Sequence, residues 1–485
     1  LVERCPLPSI VTCRSAEEGG EFDGDEQTRL AALEHAGLGE RRPAYVDLEL
    51  ASWQRSANLR QKAGLVVDHP GQVRPVDTGL ILSAHDFEGR PVDLHQRLEA
   101  MAAASACRVI KVAWHARSLR DNLEAFEILT RRLKPTIALC MGEYGLMSRV
   151  LARKFDACLT FASPTPETAT APGQPTVEEL KRLYRWDAMG PATRVYGVIG
   201  HPVGHSMSPA IHNAGFEVVD HDGVYLPMPI APSYEAFKAT VGAMLDFAPL
   251  HFRGASVTIP HKENLLRFVE EEGGSIEPLA ATIGAANTVT VGENGGLHAA
   301  NTDYAGALTA VCRAMGIEPE ALAGRRVAVI GAGGAARAVV AGFAHQGATV
   351  VIYNRTVEKA EGLAEAFAQT AEASGGKVVA APLENLCKSC CEIFVNCTPV
   401  GMHPNVDETP LPESNRPDDF GEGTVVFDTV YNPVQTRLLK EAAEAGATTV
   451  AGTEMFVGQA AAQFEAWTGE EAPLDVFRDV LSEQL

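Results

Sequence analysis

The 485-residue chain has no uncharged apolar run long enough to cross a bilayer, so no membrane helix is expected. It has no basic block either. Lys and Arg number 41 against 62 Asp and Glu, a formal net charge of −21, which argues against a general nucleic-acid binder. That balance leaves small anionic substrates open, since they need only local positive charge. The N-terminus, LVERCPLPSI, lacks the basic-then-apolar order of a signal peptide, and the expected compartment is the cytoplasm. Cysteine is sparse and scattered, apart from Cys387, Cys390 and Cys391. A lone CxxC without a second pair points to ordinary reduced thiols. His201, His205 and His212 also lack a carboxylate or cysteine at zinc-site spacing, so no metal is expected.

What is present describes globular material, with 46% hydrophobic and 21% charged residues. The length exceeds one ordinary core and implies two to four domains. The most informative stretch is RRVAVIGAGGAARAVVAGF, residues 325–343. An apolar strand pattern at 327–330 enters a glycine turn and leaves as an Ala-rich helix, the arrangement of a dinucleotide site. Gly331 permits the tight turn, Gly333 admits a pyrophosphate close to the backbone, and Ala336 allows close helix–strand packing. Ala332, Gly334 and Ala335 complete the cradle, whose unpaired N–H groups face the phosphates. A second strand, 348–353, ends in Asn354-Arg355-Thr356 rather than in an acidic residue. A guanidinium there favours the 2′-phosphate of NADP over the free ribose of NAD.

Residues 1–193 alternate β-rich runs with helical patterns, the signature of a parallel sheet with helical crossovers. Strands are expected at 9–14, 44–50, 79–85, 108–114, 136–141 and 157–162, with helices at 25–36, 94–104 and 119–133. This order fits an open α/β sheet or most of an eightfold barrel. Polar residues mark the strand ends: Arg14, His85, Lys111 within VIKVAW, then Arg149, Thr170 and Gln174. In a β/α barrel such ends share one face. A lysine in an apolar strand either snorkels to solvent or is a desolvated amine able to attack a carbonyl.

TCRSAEEGGEF (12–22), SAHDF (83–87), the Lys111 strand and APGQ (171–174) resemble the type I 3-dehydroquinate dehydratases, which are β/α barrels. The resemblance implies Lys111 as the Schiff-base nucleophile, His85 as general acid/base, and Arg14, Arg149, Thr170 and Gln174 around the substrate. Thr170 stands where the family usually has serine. The family's early Glu-x-Arg strand has no counterpart, and the chain starts, at Leu1, near the third strand. An incomplete barrel, lacking two β–α units, is therefore expected, either as a truncated chain or with an impaired dehydratase half.

Beyond a helix at 176–186 and a linker at 188–193, a strand at 194–199 enters GHPVGHSMSPAIHN (200–213), then SVTIPHK (256–262), GAANTV (284–289) and ANTDYAG (300–306). Each carries small and hydrogen-bonding residues at a turn. Lys262 and Asp303 suit delivery of a proton to a forming alkoxide, although charge alone also fits a surface ion pair. With CTPVGM (397–402), VYNPVQT (430–436) and GTEMFVGQAA (452–461), these motifs resemble shikimate dehydrogenase across 194–485. The resemblance implies Lys262 and Asp303 as the catalytic pair, shikimate contacts from Ser206, Ser208, Thr258, Asn287, Gln459 and Tyr431, and NADP contacts that include Thr398 and Gly452. Ser256 stands where the family commonly has Asn.

The expected architecture is α/β throughout: an incomplete (β/α) TIM-type barrel (1–188), a shikimate-binding lobe (194–303, completed by 455–485) and a Rossmann NADP-binding lobe (304–454). The expected chemistry is dehydration of 3-dehydroquinate to 3-dehydroshikimate, followed by NADPH-dependent reduction to shikimate. Three rivals stand at this stage: a dehydrogenase fused to an inactive barrel remnant, a metabolite-binding regulator built from the same folds, and a dehydrogenase that uses quinate. Oligomeric state is not legible.

Overall fold

A computed structural model of the chain describes residues 5–38, 41–73, 76–131, 133–171, 173–411 and 421–485. It divides into two compact units, residues 1–194 with 228–231 and 239–251, and residues 195–227, 232–238 and 252–485.

The first unit is built on five parallel strands in chain order, β1 (Ile10–Thr12), β2 (Tyr45–Glu49), β3 (Gly79–Asp86), β4 (Cys107–His115) and β5 (Thr136–Met141). Helices Glu26–Leu38, Leu94–Ala103 and Arg120–Arg131 are among the crossovers. Side chains alternate along a strand, so Tyr45, Asp47 and Glu49 share a face with Ile81, Ser83 and His85 and with Val109, Lys111 and Ala113. The apolar members of that face form one core with Ile137, Leu139, Met141 and Phe161. Asp47, Glu49, Ser83 and His85 sit toward the carboxyl ends of β2 and β3, while Lys111 lies in the middle of β4 with the core residue Ala113 beyond it.

The strand expected at 157–162 is absent. Cys158 N donates to Thr136 O at 2.8 Å, but Thr160 Oγ1 donates to Arg149 O and an Arg149 guanidinium N–H donates to Phe161 O, and these side-chain bonds replace a ladder. The helix expected at 176–186 is also irregular. Thr176 and Glu179 cap its start reciprocally. It then widens, with Tyr184 N donating to Glu179 O five residues back, before Arg185 turns the chain at φ +51°.

In the second unit a mixed sheet has the order β7-β6-β8-β10-β11-β9, with β6 at Arg194–Gly200, β7 at Gly223–Pro229, β8 at Phe252–Val257, β9 at Ser275–Ile276, β10 at Thr288–Val291 and β11 at Leu297–Ala300. A third sheet is fully parallel, with β12 at Arg326–Ile330, β13 at Thr349–Asn354, β14 at Lys377–Pro382, β15 at Ile393–Asn396, β16 at Val425–Asp428 and β17 at Thr448–Val450. Its order, β14-β13-β12-β15-β16-β17, is the doubly wound one, reversing between β12 and β15 where a crevice opens for a dinucleotide. Strand β12 is buried on both faces. Val327 and Val329 join one core with helix Gly334–His345, while Ala328 and Ile330 join another with Leu438, Leu439 and Ala442.

Helix Thr302–Met315 crosses helix Gly452–Thr468 where Gly306 meets Gly458. A methyl group on Gly306 would lie 2.6 Å from Met455 O and 2.8 Å from Gln459 N, so only glycine permits this approach. The crossing brings the first turn of one helix, with Asp303, beside Gln459 of the other.

Candidate active sites

The glycine-permitted crossing opens onto a cavity of about 410 Å³ in the second unit. Ser206, Ser208, Thr258, Lys262, Asn287, Asp303, Tyr431 and Gln459 all line it, together with Phe456 and Gln463. A second cavity of about 640 Å³ shares Lys262, Asp303, Tyr431, Phe456 and Gln459, and continues to Gly334, Ala335, Arg337, Thr429 and Gly452. The two cavities meet at the Lys262–Asp303 pair.

That pair is held from several sides. Lys262 begins helix Lys262–Glu271, and its Nζ donates to Asp303 Oδ2 at 2.6 Å. Asn287 Nδ2 donates to the other carboxylate oxygen at 2.9 Å, while Asn287 Oδ1 accepts from Thr302 N at 2.7 Å and Thr288 Oγ1 at 2.8 Å. Asn301 caps the Asp303 helix by accepting from Asp303 N. The result is an ammonium with a fixed anion at the junction of two chambers, suited to giving or taking one proton. Ser206 Oγ accepts from Ser208 N at 3.3 Å, which ties the two hydroxyl residues to one turn.

Sequence reasoning did not single out Gln463. Its Oε1 accepts from Ser256 Oγ at 2.9 Å and its Nε2 donates to Thr288 Oγ1 at 3.0 Å; Ser256 Oγ also bonds Tyr225 OH. Its position four residues after Gln459, on the same helix face, was the available signal. His212 lies buried and stacked on Tyr225, its ring centroid 4.5 Å away, and burial holds its pKa down to about 3.

The nucleotide end fits a dinucleotide phosphate group. Gly331 has φ +108°, and a Cβ there would sit 3.0 Å from Thr398 Cγ2. At Gly333 and Gly334 an added Cβ meets nothing within 4 Å, leaving open space over the first N–H groups of helix Gly334–His345. Ala336 is fully buried in the core, while Ala332 and Ala335 stay accessible. At the end of β13, Arg355 and Thr356 are exposed and Asn354 Nδ2 donates to Thr356 O. Gly452 starts its helix against Val430 O.

In the first unit, Lys111 Nζ donates to Asp47 Oδ2 at 3.0 Å across the intervening strand β3. Arg14 donates to both Asp47 oxygens, at 3.1 and 3.0 Å, and to Ser83 Oγ at 2.8 Å. His85 Nδ1 lies 3.1 Å from Glu18 Oε2. Burial lowers the pKa of Lys111, helped by Arg14 and Arg149 and opposed by Asp47. Burial, Arg14 and Lys111 drive His85 well down, leaving a neutral imidazole. Burial raises Glu18 to about 7 despite Arg14. Asp47 goes the other way, because Lys111 and Arg14 outweigh burial and hold it at about 2. Arg149 is buried, with its pKa brought down to about 10, and its charge reaches Lys111.

Thr170 and Gln174 are not joined to this cluster. Thr170 N and Oγ1 donate to Gln174 Oε1 at 2.8 and 3.0 Å on an accessible loop, whose Gly173 packs on Gly142 O just past β5. Asp47, Ser83 and Glu18 were missed by sequence reasoning. Asp47 and Glu49, two apart in the otherwise apolar YVDLEL, were the readable sign of buried carboxylates sharing a face.

Residues 1–191 match the type I 3-dehydroquinase family. Residues 198–289 match the shikimate dehydrogenase substrate-binding domain, 315–389 the shikimate/quinate 5-dehydrogenase family, and 452–481 the shikimate 5′-dehydrogenase C-terminal domain. The bifunctional 3-dehydroquinate dehydratase/shikimate dehydrogenase of Arabidopsis thaliana, described as chloroplastic, is 38% identical over 495 residues, spanning 99% of this chain and 76% of the relative. The chain belongs to the bifunctional dehydroquinate dehydratase/shikimate dehydrogenase family.

The dehydrogenase half also has relatives of its own. Methanopyrus kandleri shikimate dehydrogenase (NADP(+)) is 42% identical over 300 residues, spanning 60% of this chain and 96% of the relative. A solved shikimate dehydrogenase in complex with NADP+ aligns with a TM-score of 0.53 at 34% identity, covering 61% of this chain and 97% of the other. The Thermus thermophilus enzyme in complex with NADP(H) and shikimate gives 0.50 at 34% identity, with 60% and 100% covered. Among the described residues no helix is long and apolar enough to cross a membrane, and no group of three or more His, Cys, Asp or Glu is placed to hold a metal ion.

Proposed function

We infer that the first unit dehydrates 3-dehydroquinate to 3-dehydroshikimate and the second reduces that product to shikimate with NADPH. The observation that carries the second step is the Lys262–Asp303 contact of 2.6 Å where two cavities join. NADPH, when bound, supplies the hydride. Gly331, Ala332, Gly333, Gly334 and Ala335 would hold its phosphates, with Ala336 packing the cradle helix into the core beneath them, Asn354, Arg355 and Thr356 would take its 2′-phosphate, and Thr398 and Gly452 would border its nicotinamide end. Ser206, Ser208, Thr258, Asn287, Tyr431 and Gln459 orient the substrate. Lys262 holds the proton at Nζ and passes it to the oxygen that becomes a hydroxyl, with Asp303 keeping the Nζ in place through its hydrogen bond.

For the dehydratase step, the lowered basicity of Lys111 leaves an amine able to add to the substrate ketone, with loss of water, giving an imine. Neutral His85 takes the proton from the adjacent carbon and returns it to the departing hydroxyl, and hydrolysis of the imine frees Lys111. Arg14 and Arg149 supply positive charge to the substrate, with Thr170 and Gln174 offering polar contacts from their loop. A reducing compartment, the cytoplasm or a plastid equivalent, suits the nine described cysteines, all free thiols.

The test is to give the chain 3-dehydroquinate and NADPH and follow NADPH loss. Borohydride with 3-dehydroquinate should leave a reduced adduct on Lys111. Turnover of 3-dehydroshikimate but not 3-dehydroquinate, with no adduct in folded protein, would remove the dehydratase half of the assignment.

A further inference from the structure

We propose that Arg337 is a positioning residue that couples occupancy of the nucleotide cradle to the geometry of the Lys262–Asp303 pair, a role that rests on the dehydrogenase reading. Arg337 lies in the first turn of the cradle helix, three residues after Gly334. Its guanidinium lies over the Phe367 ring of the nucleotide lobe, 5.4 Å from the centroid, and reaches the substrate lobe from there. Nε donates to Ile283 O and Nη2 to Thr282 O at 3.3 Å, the last carbonyls of the short helix Pro278–Ile283 in the substrate lobe. Such carbonyls have no partner within their own helix, and here a side chain from the other lobe fills the deficit.

The segment directly after those carbonyls reaches both catalytic groups. Gly284 turns the chain at φ +75°, and Ala285 O accepts from Asn301 Nδ2 at 2.9 Å. The same Asn301 caps Asp303 through its Oδ1. Ala286 N donates to Lys262 O at 3.0 Å, and Asn287 Nδ2 donates to Asp303 Oδ1. Three consecutive residues therefore hold Lys262 and Asp303, and Arg337 clamps the end of the segment that carries them. The opposite end of the short helix is fixed independently, since Glu277 accepts from Asn301 N and Tyr304 OH. Leu279 and Ile283 of the short helix share an apolar core with Ala336 and Val339 of the cradle helix, and Arg337 adds the directional, hydrogen-bonded tie between the two. A displacement of the cradle helix on phosphate binding passes through two hydrogen bonds to a four-residue loop and arrives at the proton donor. Linkage requires the reverse effect, substrate on cofactor affinity, to have the same size.

NADPH and shikimate are both reduced and cannot react, so they allow this coupling to be read at equilibrium on the full chain. NADPH affinity is measured by fluorescence with and without saturating shikimate. In the wild type, shikimate is expected to tighten NADPH by a factor within the range of about 5–150 common for coupled sites. In Arg337→Met, which keeps the aliphatic stem, that factor falls to about one while NADPH affinity without shikimate stays within roughly twofold of wild type, as the coupling argument requires. Arg337→Lys, with one compact donor group in place of the fork, falls between them and serves if the Met variant does not fold. A wild-type factor of one, or an unchanged factor in both variants, overturns the proposal. So does an equal loss of NADPH affinity with and without shikimate, which would make Arg337 a direct cofactor ligand. Wild-type reduction of 3-dehydroshikimate is assayed on the same sample. Absence of that turnover refutes the functional reading, whereas turnover with an unaltered factor refutes only the coupling.

Discussion

Asp47→Asn in the dehydratase unit removes one charge and almost no volume, and its effect can be worked out from the contacts. Asp47 receives Lys111 at 3.0 Å and both Arg14 bonds, with its side chain 2% exposed. At that distance and an effective dielectric of about 20, one such ion pair corresponds to about 5 kcal/mol of Coulomb energy before desolvation. The substitution leaves the buried Lys111 and the half-buried Arg14 without the carboxylate they share; Arg14 keeps Glu18 at 3.6 Å and Glu49 at 3.7 Å, but Lys111 loses its one ion-pair partner among the described residues. The expected destabilisation is about 3–5 kcal/mol, the usual cost of breaking a buried pair by removing one partner. At about 2–4 °C per kcal/mol for a unit of this size, the melting temperature of its transition falls by about 6–20 °C.

The chemistry shifts as well. Asp47 is the group that favours the charged form of Lys111, against burial, Arg14 and Arg149, which all lower its pKa. Removing the carboxylate lowers it further, because an adjacent opposite charge that favoured the ammonium is lost. Borohydride trapping of the Lys111 imine should therefore reach its half-maximal rate at a correspondingly lower pH. Calorimetry of the variant and a pH series of trapped adduct by mass spectrometry measure the two effects. A variant that melts with the wild type and traps at the same pH would show that Asp47 does not control the lysine.

Three further outcomes are expected. Gly331→Ala forces a side chain into φ +108° with its Cβ 3.0 Å from Thr398 Cγ2; it should cost about 1–3 kcal/mol of stability and weaken NADPH binding, and wild-type values for both would contradict the cradle assignment. Arg355→Ala should weaken NADPH by about tenfold or more, from the roughly 1.5–3 kcal/mol of a charge-assisted bond, and leave NADH unchanged; equal losses for both cofactors would place the guanidinium elsewhere. Burial raises Asp428 to about 6 although Thr436, Val430 N and Asn396 donate to it. A raised carboxylate stabilises the fold while protonated, so the second unit should lose up to about 3 kcal/mol as pH rises from about 4 to about 6. Urea titrations across that window should show the slope in wild type and its absence in Asp428→Asn.

Much of this protein is legible locally. Continuous β-rich apolar runs found most of the strands of the parallel sheets because both of their faces are buried, and the glycine turn at residues 331–334 announces its helix because the constraint lies within a few consecutive residues. The misses have a common cause. At 157–162 the composition suits a strand, yet bonds involving Thr160 and Arg149 side chains take the place of a ladder. Propensity along a segment does not record what its neighbours offer it.

Composition, strand and helix order, and the motifs that hold Lys111, His85, Lys262 and Asp303 were determined by the amino-acid order alone, because each depends on spacing within one segment. Which carboxylate faces Lys111, how closely Gly306 lets two helices cross, and where Arg337 sends its guanidinium were decided only by the folded chain. Each of these joins groups 54 to 152 residues apart, and burial makes their pairing strong, since desolvated charges and unpaired carbonyls must find partners wherever the topology brings them.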